Sequence, residues 1–497
     1  MTGGIRKLAK ETAVYGVSSI LGRVLNWLLV PMYVRVLDST GQYGIVTNLY
    51  AWTALLLVLL TYGMETGFFR FVNKEEKQPM EIYSTSLISV GISSFLFVVL
   101  GSLFLQPIAS ALGYGDTSEY VEMLLLIVAI DAFTCIPFAY LRYTSRPLKF
   151  AAIKLLNIFI LIGLNLFFLL LCPWLYTHFP ASVSWFYIPD YGVGYIFVSN
   201  LIASSVTLIA LFQELTGFKY QFSFPLWRRM LKYSFPILIL GIAGVLNQTV
   251  DKILFPFLFA DRDYADAQLG IYGACFKIAV IMVMFIQAFR YAYEPFIFAK
   301  NKNDDCKQAY SEAMKYFVIF ALLIFLGVIF YLDVIKYLVP PEYYPGLKVV
   351  PIVMLGEFFF GIYFNLSLWY KVIDETKWGA YFSTLGCLIT VVIILVFGPI
   401  YSYMACVWAS FVCNLVMMLL SYFIGQKKYP IHYDLKTIFV YFALTAILYV
   451  VAMLPSISNE WLRLGYRSIL LIFFILFVIK RDLPLQELPF INRYIKK

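Results

Sequence analysis

The sequence predicts an all-α, polytopic membrane protein of about 14 transmembrane helices. Three observations carry that expectation: an apolar composition, a regular series of apolar runs of bilayer length, and a one-sided placement of Lys and Arg between them. Of 497 residues, 62% are hydrophobic and 13% charged, with a mean hydropathy of +0.81. That leaves too little polar surface to cover a water-soluble globule of this size. The 46 Phe and 38 Tyr suit lipid-facing packing and interfacial belts, and equally sugar or lipid contacts inside a cavity.

Crossing roughly 30 Å of hydrocarbon takes about 20 mostly apolar residues. Such runs fall at 11 to 36, 41 to 65, 84 to 106, 119 to 141, 150 to 172, 193 to 213, 231 to 257, 269 to 291, 315 to 333, 347 to 370, 378 to 397, 403 to 424, 436 to 454 and 462 to 480. The first follows basic residues as a signal peptide would. Its length, Arg23 and the lack of a small-residue cleavage site predict that it stays attached.

The intervening stretches sort the basic residues onto two sides. One side receives Arg6, Lys7, Lys10, Lys74, Lys77, Arg142, Arg146, Lys149, Arg228, Arg229, Lys300, Lys302, Lys307, Lys427, Lys428, Lys480, Arg481, Lys496 and Lys497. The other has chiefly Arg35, Arg262, Lys336, Lys348, Arg463 and Arg467. Cytoplasmic loops are the basic ones, so both termini are expected in the cytoplasm. A missed or invented helix midway would destroy this bias.

The same reading removes several function classes. The longest connections, Pro173 to Tyr191 and Tyr291 to Lys315, are too short for a soluble catalytic lobe, so the chain is expected not to be an enzyme. No glycine-rich loop ends in Gly-Lys-Ser/Thr, which excludes a Walker-type ATPase within the chain. Cys135, Cys172, Cys275, Cys306, Cys387, Cys406 and Cys413 are scattered through apolar runs, and the two histidines, His178 and His432, fall on opposite predicted sides. No disulfide framework, metal centre or cofactor is expected, and no nucleic-acid partner.

A weak internal repeat organises the chain. Val24-Leu25-Asn26 followed by Gly41-Gln-Tyr-Gly-Ile has a counterpart in Val245-Leu246-Asn247 followed by Gln268-Leu-Gly-Ile-Tyr. Six helices separate the copies, so they run in the same direction, a parallel repeat of the kind transporters use. The expected division is an N-terminal six-helix bundle over 1–215, a second over 216–430, and helices 13 and 14 with a tail over 431–497.

Ionisable groups at mid-membrane are costly, so each needs a partner or a wet cavity. The candidates are Arg23, Asp131, Lys154, Asp251, Lys252, Lys277 and Glu357. Tyr15, Ser19, Arg23, Asn26 and Tyr33 recur along one face of the first helix. Gly241, Gly244, Gln248 and Asp251 follow one face of the seventh, and Gly273, Lys277, Gln287 and Tyr291 roughly one face of the eighth. These three stripes predict a central cleft lined by Arg23, Asn26, Asn247, Gln248 and Lys277. The alternative is helix-to-helix hydrogen bonding alone. Arg offers a forked donor array for phosphate oxygens, which favours an amphiphile with an anionic head. A structural ion pair of Arg23 with Asp131 or Glu357 is the competing reading. Asp131, Asp251 and Glu357 are candidates for binding a coupling cation, against structural carboxyls paired with neighbours.

The opening Lys7-Leu-Ala-Lys-Glu-Thr-Ala-Val-Tyr-Gly, Gly22-Arg23-Val-Leu-Asn-Trp-Leu-Leu-Val-Pro-Met-Tyr and Tyr43-Gly-Ile resemble the start of the polysaccharide flippase family that includes O-antigen flippases. Asp251-Lys-Ile-Leu, Leu269-Gly-Ile-Tyr-Gly-Ala-Cys-Phe-Lys277 and Ala288-Phe-Arg-Tyr-Ala-Tyr-Glu-Pro-Phe-Ile-Phe resemble its second half. The resemblance implies the fold of the multidrug/oligosaccharidyl-lipid/polysaccharide exporters, two six-helix bundles around a cleft plus two helices. It further implies flipping of an undecaprenyl-diphosphate-linked oligosaccharide across the bacterial inner membrane, in the making of surface polysaccharide such as lipopolysaccharide. The partners it implies are that lipid-linked oligosaccharide, membrane lipids and the polysaccharide polymerase machinery. Arg23 matches the diphosphate-holding arginines of related lipid flippases, with Lys277 assisting. The rivals are a cation-coupled drug or metabolite exporter of the same fold, and a membrane glycosyltransferase or polymerase, which would need an outer loop rich in catalytic residues.

Overall fold

The computed structural model describes residues 21–74, 79–300, 306–373, 375–455 and 457–482, without the side chains of 291–300 and 306. Among them, thirteen helices are long and apolar enough to cross a membrane, and no strand occurs. They match the second to fourteenth runs of the sequence one for one. The first run lies partly outside the described residues, as do Tyr15 and Ser19; 21–28 and Val30–Val36 are helical. The absence of strands follows from the bilayer, where a helix satisfies its own backbone hydrogen bonds.

Local chemistry sets the helix ends. Ser39 accepts a bond from the Gln42 amide at 3.3 Å and so caps Thr40–Thr61. Asn459 does the same for Glu460–Arg481, satisfying amides that lack helical partners. Tyr62 and Gly63, both at positive φ (33° and 70°), break the second span into Thr40–Thr61 and Met64–Lys74. The turn after the break lies against the Phe224–Leu254 helix, where the Ser234 hydroxyl donates to the Gly63 carbonyl at 3.2 Å.

The chain forms two compact units. The first is Met1–Ala274 with Gly379–Ala409, the second Cys275–Trp378 with Ser410–Lys497. In the first, Pro79–Leu103 packs on Ser118–Tyr143, Val193–Ala210 on Pro147–Leu166, and Phe224–Leu254 on Thr40–Thr61. The connection after Val193–Ala210 is pinned along Pro79–Leu103. Tyr83 donates to the Glu214 carbonyl at 2.7 Å, and the Gln221 amide donates to Ser84 at 2.8 Å.

In the second unit, Cys306–Phe330 packs against Val349–Leu366, Leu435–Met453 and Glu460–Arg481. Ion pairs fasten the last of these at both ends. Arg463 and Arg467 each reach Asp333 Oδ2 at 2.7 Å. Lys315 pairs with Asp482 at 3.3 Å, and Tyr441 donates to the same carboxylate at 2.6 Å.

Candidate functional site

On the 21–28 helix, Gly22 is buried and a Cβ there would stand 2.7 Å from Ile158 Cδ1. The glycine face therefore rests on Pro147–Leu166, while Arg23 and Asn26 are exposed. Among the described residues Arg23 makes no ion pair with Asp131. Tyr33, further along the polar stripe, is buried.

Asp131 instead accepts a 2.8 Å bond from the Ser204 hydroxyl, joining Ser118–Tyr143 to Val193–Ala210. Lys154 is exposed, with its ammonium 4.0 Å from the centre of the Phe138 ring, a cation–π contact. Asn247 donates to the Ser383 carbonyl at 2.8 Å and ties Phe224–Leu254 to Lys377–Tyr401. Gln248 beside it is exposed. Asp251 is buried, paired with Lys252 at 2.8 Å and bonded by the Tyr272 hydroxyl at 2.6 Å.

Lys277 and Glu357 belong to the second unit. Lys277 is exposed and Glu357 half-buried. Glu357 follows Gly356, where a Cβ would meet Phe411 Cα at 3.3 Å. The candidates thus fall into two kinds. Asp131, Asn247 and Asp251 have specific partners inside the first unit, while Arg23, Asn26 and Gln248 present their side chains on exposed helix surface.

Sequence reasoning passed over a third group. Asn48, fully buried, donates to the Lys252 carbonyl at 2.7 Å and accepts from the Tyr114 hydroxyl at 3.0 Å. Arg262 lies over the Tyr114 ring at 4.7 Å and donates to Asp266 at 3.1 Å. The available signals were an Asn inside an apolar run and an Arg on the side poor in basic residues.

On the side where basic residues are scarce, four of them are matched to carboxylates: Arg262 to Asp266, Lys336 to Glu460, and both Arg463 and Arg467 to Asp333. At the opposite ends of the helices, Arg142 pairs with Glu65, Lys149 with Glu214 and Lys428 with Glu375.

Thirteen apolar helices define a multi-pass membrane protein, with Arg23 and Asn26 exposed on the 21–28 helix that precedes them and Gln248 exposed on one of the thirteen. Its fold is that of flippases and exporters. It is shared with the lipid II flippase MurJ in an inward closed conformation, at a TM-score of 0.73 and 16% identity over 95% of this chain and 99% of that one. An inward-facing multidrug resistance MATE family transporter of the MOP superfamily matches at 0.64 and 12% identity, over 82% and 94%. A MATE structure in the straight conformation matches at 0.59 and 13%, over 85% and 95%.

The chain belongs to the polysaccharide biosynthesis protein family, whose model matches residues 8–299, and through it to the exporter superfamily that the sequence resembles. The MatE family model matches residues 243–396. No curated protein matches the chain.

Proposed function

We propose that this protein flips an undecaprenyl-diphosphate-linked oligosaccharide from the inner to the outer leaflet of the bacterial cytoplasmic membrane, by alternating access, for surface polysaccharide assembly. The polysaccharide biosynthesis family match across residues 8–299 carries the reading. The likeness to a protein described as a lipid II flippase supports the choice of a lipid-linked cargo. Arg23 is the headgroup ligand: an exposed guanidinium on a membrane helix offers two parallel donors to diphosphate oxygens. Asn26 and Gln248 present amides suited to sugar hydroxyls, Asn247 supports Gln248, and Lys277 adds a second cation. Asp131, Asp251 or Glu357 takes part in cation coupling. Inner-leaflet lipids and the polymerase machinery are its partners, and the basic helix ends face the cytoplasm.

The MatE match over residues 243–396 favours a second reading, cation-coupled export of a drug or metabolite. One assay separates the two. The purified chain is reconstituted into vesicles holding either a fluorescent polyprenyl-diphosphate oligosaccharide or an organic cation. Flipping of the first, read by lectin access to the glycan, supports the proposal. Efflux of the second with no flipping overturns it.

A further inference from the structure

Four elements of the first unit converge at one end: Thr40–Thr61, the turn at 112–117, the end of Phe224–Leu254, and the start of the Arg262–Lys300 helix. One chain of contacts joins them. The Lys252 carbonyl accepts from Asn48, Asn48 accepts from Tyr114, the Tyr114 ring lies under Arg262, and Arg262 Nε donates to Asp266 Oδ2. Gly113, at φ +81°, lets the turn come so close that a Cβ there would stand 3.1 Å from Arg262 Nε. The same stretch of helix carries a backbone crossing, since a Cβ on Gly44 would fall 1.9 Å from the Asp266 carbonyl oxygen.

The ion pair at the end of this chain is incomplete. Asp266 is only 5% exposed, yet its Oδ1 is buried without a hydrogen-bond partner among the described residues, and so is Nη2 of Arg262. A buried carboxylate with one oxygen unmet keeps its charge through its single charge-assisted bond, and neutralising it relieves the desolvation penalty. The other charged or titratable groups at this end are Asp261, Asp263 and Tyr264 at the start of the same helix, Asp116 and the Tyr114 phenol from the turn, and the Asp251–Lys252 pair, which is closed on itself and on Tyr272. Asp263 adds a second negative charge beside Asp266. Thr40–Thr61 meets this end through Gly44, Thr47 and Asn48, none of them charged.

We propose that Asp266 is a proton-uptake site, and that protonation releases Arg262 from its place over Tyr114 and loosens the contact of Thr40–Thr61 and the 112–117 turn with the Arg262–Lys300 helix. The proton is the ligand, and Asp266 is the group that couples it to motion at this junction. As a coupling step this rests on the transport reading; as an acid-operated latch it does not.

Hydrogen exchange of the full chain in lipid nanodiscs tests the latch. Peptides covering 40–48, 110–118 and 262–270 are followed at about pH 5 and about pH 7.5, with rates corrected for intrinsic exchange. The native chain is expected to exchange roughly tenfold faster at the acid pH, a change the size of one pK unit. Asp266→Asn is expected to exchange fast at both, and Asp266→Glu to keep the acid response. Equal corrected rates in the native chain, or an acid response surviving in Asp266→Asn, overturns the proposal. Where Asp266→Asn yields no folded protein, Arg262→Gln takes its place, and continued protection of these peptides at both pH values in that variant overturns the latch. Vesicle flipping read beside it keeps the two readings apart: an acid-responsive junction in a chain that moves no glycan lipid sinks the transport reading and leaves the latch standing.

Discussion

Gly44 and Gly270 each meet the other's helix at its backbone. A Cβ on Gly270 would stand 1.8 Å from the Thr40 carbonyl oxygen and 3.0 Å from the Gly44 nitrogen, and one on Gly44 would stand 1.9 Å from the Asp266 oxygen. The two glycines stand at matching places of Gln42-Tyr-Gly-Ile and Gln268-Leu-Gly-Ile, and the two helices cross there backbone to backbone. Gly44→Ala and Gly270→Ala are each expected to destabilise the protein by about 1–3 kcal/mol, the usual cost of overpacking. Gly41→Ala, whose Cβ would meet Ser39 at 3.6 Å, serves as the near-neutral control. Thermal unfolding in detergent, followed by fluorescence-detected gel filtration, reads the difference.

Arg23 is exposed and unpaired with Asp131, so its removal should leave folding intact. Arg23→Ala is expected to reach native abundance in the membrane and to lose glycan export. Losing a charge-assisted contact of roughly 1.5 to 3 kcal/mol weakens binding on the order of tenfold or more. Arg23→Lys should recover part of the activity, since it keeps charge without the fork. Full export by a stable Arg23→Ala protein would remove the residue from the mechanism.

Asp131 keeps its Ser204 bond when replaced by Asn, because an amide oxygen accepts as a carboxylate does. Asp131→Asn should therefore fold normally. A coupling role predicts that its transport, and that of Glu357→Gln, changes its dependence on pH or Na⁺. Native profiles in both variants would leave these two groups structural.

Asp333 faces two guanidinium groups, and Arg467 is buried. Asp333→Ala strands that charge and is expected to cost about 3 kcal/mol, the lower end for a broken buried pair because Asp333 keeps some solvent. Arg467→Met combined with Asp333→Ala should recover much of the loss, and a double-mutant cycle in thermal stability checks it.

Glu375, in the turn between the tenth and eleventh spans of the sequence, has its carboxyl held below the ordinary range by hydrogen bonds from Lys428 and Trp378. A depressed carboxyl adds stability above its unfolded pKa, near 4.5, and loses it as pH falls through the lower folded value. Native protein and Glu375→Gln should differ slightly in melting temperature near neutral pH and converge below about pH 4. A gap that widens in acid would contradict this placement.

Thirteen of the predicted spans are present at nearly their predicted positions because crossing a bilayer is a property of one window of about 20 residues. The sequence likewise determined the sorting of basic residues between the two kinds of connection. The choice between exposed groups and ties was not local. Asp251 and Asn247 share a helix with Gln248, yet their partners, Tyr272 and Ser383, come from other helices. Asn48 finds Lys252 across 204 positions of sequence, and Asp266 meets Gly44 only because neither helix has a side chain between them. Hydropathy and periodicity are sums along one segment. Ion pairs, backbone crossings and a half-met carboxylate arise between segments, so only the tertiary structure decided which of the buried polar groups are satisfied and which are left able to respond.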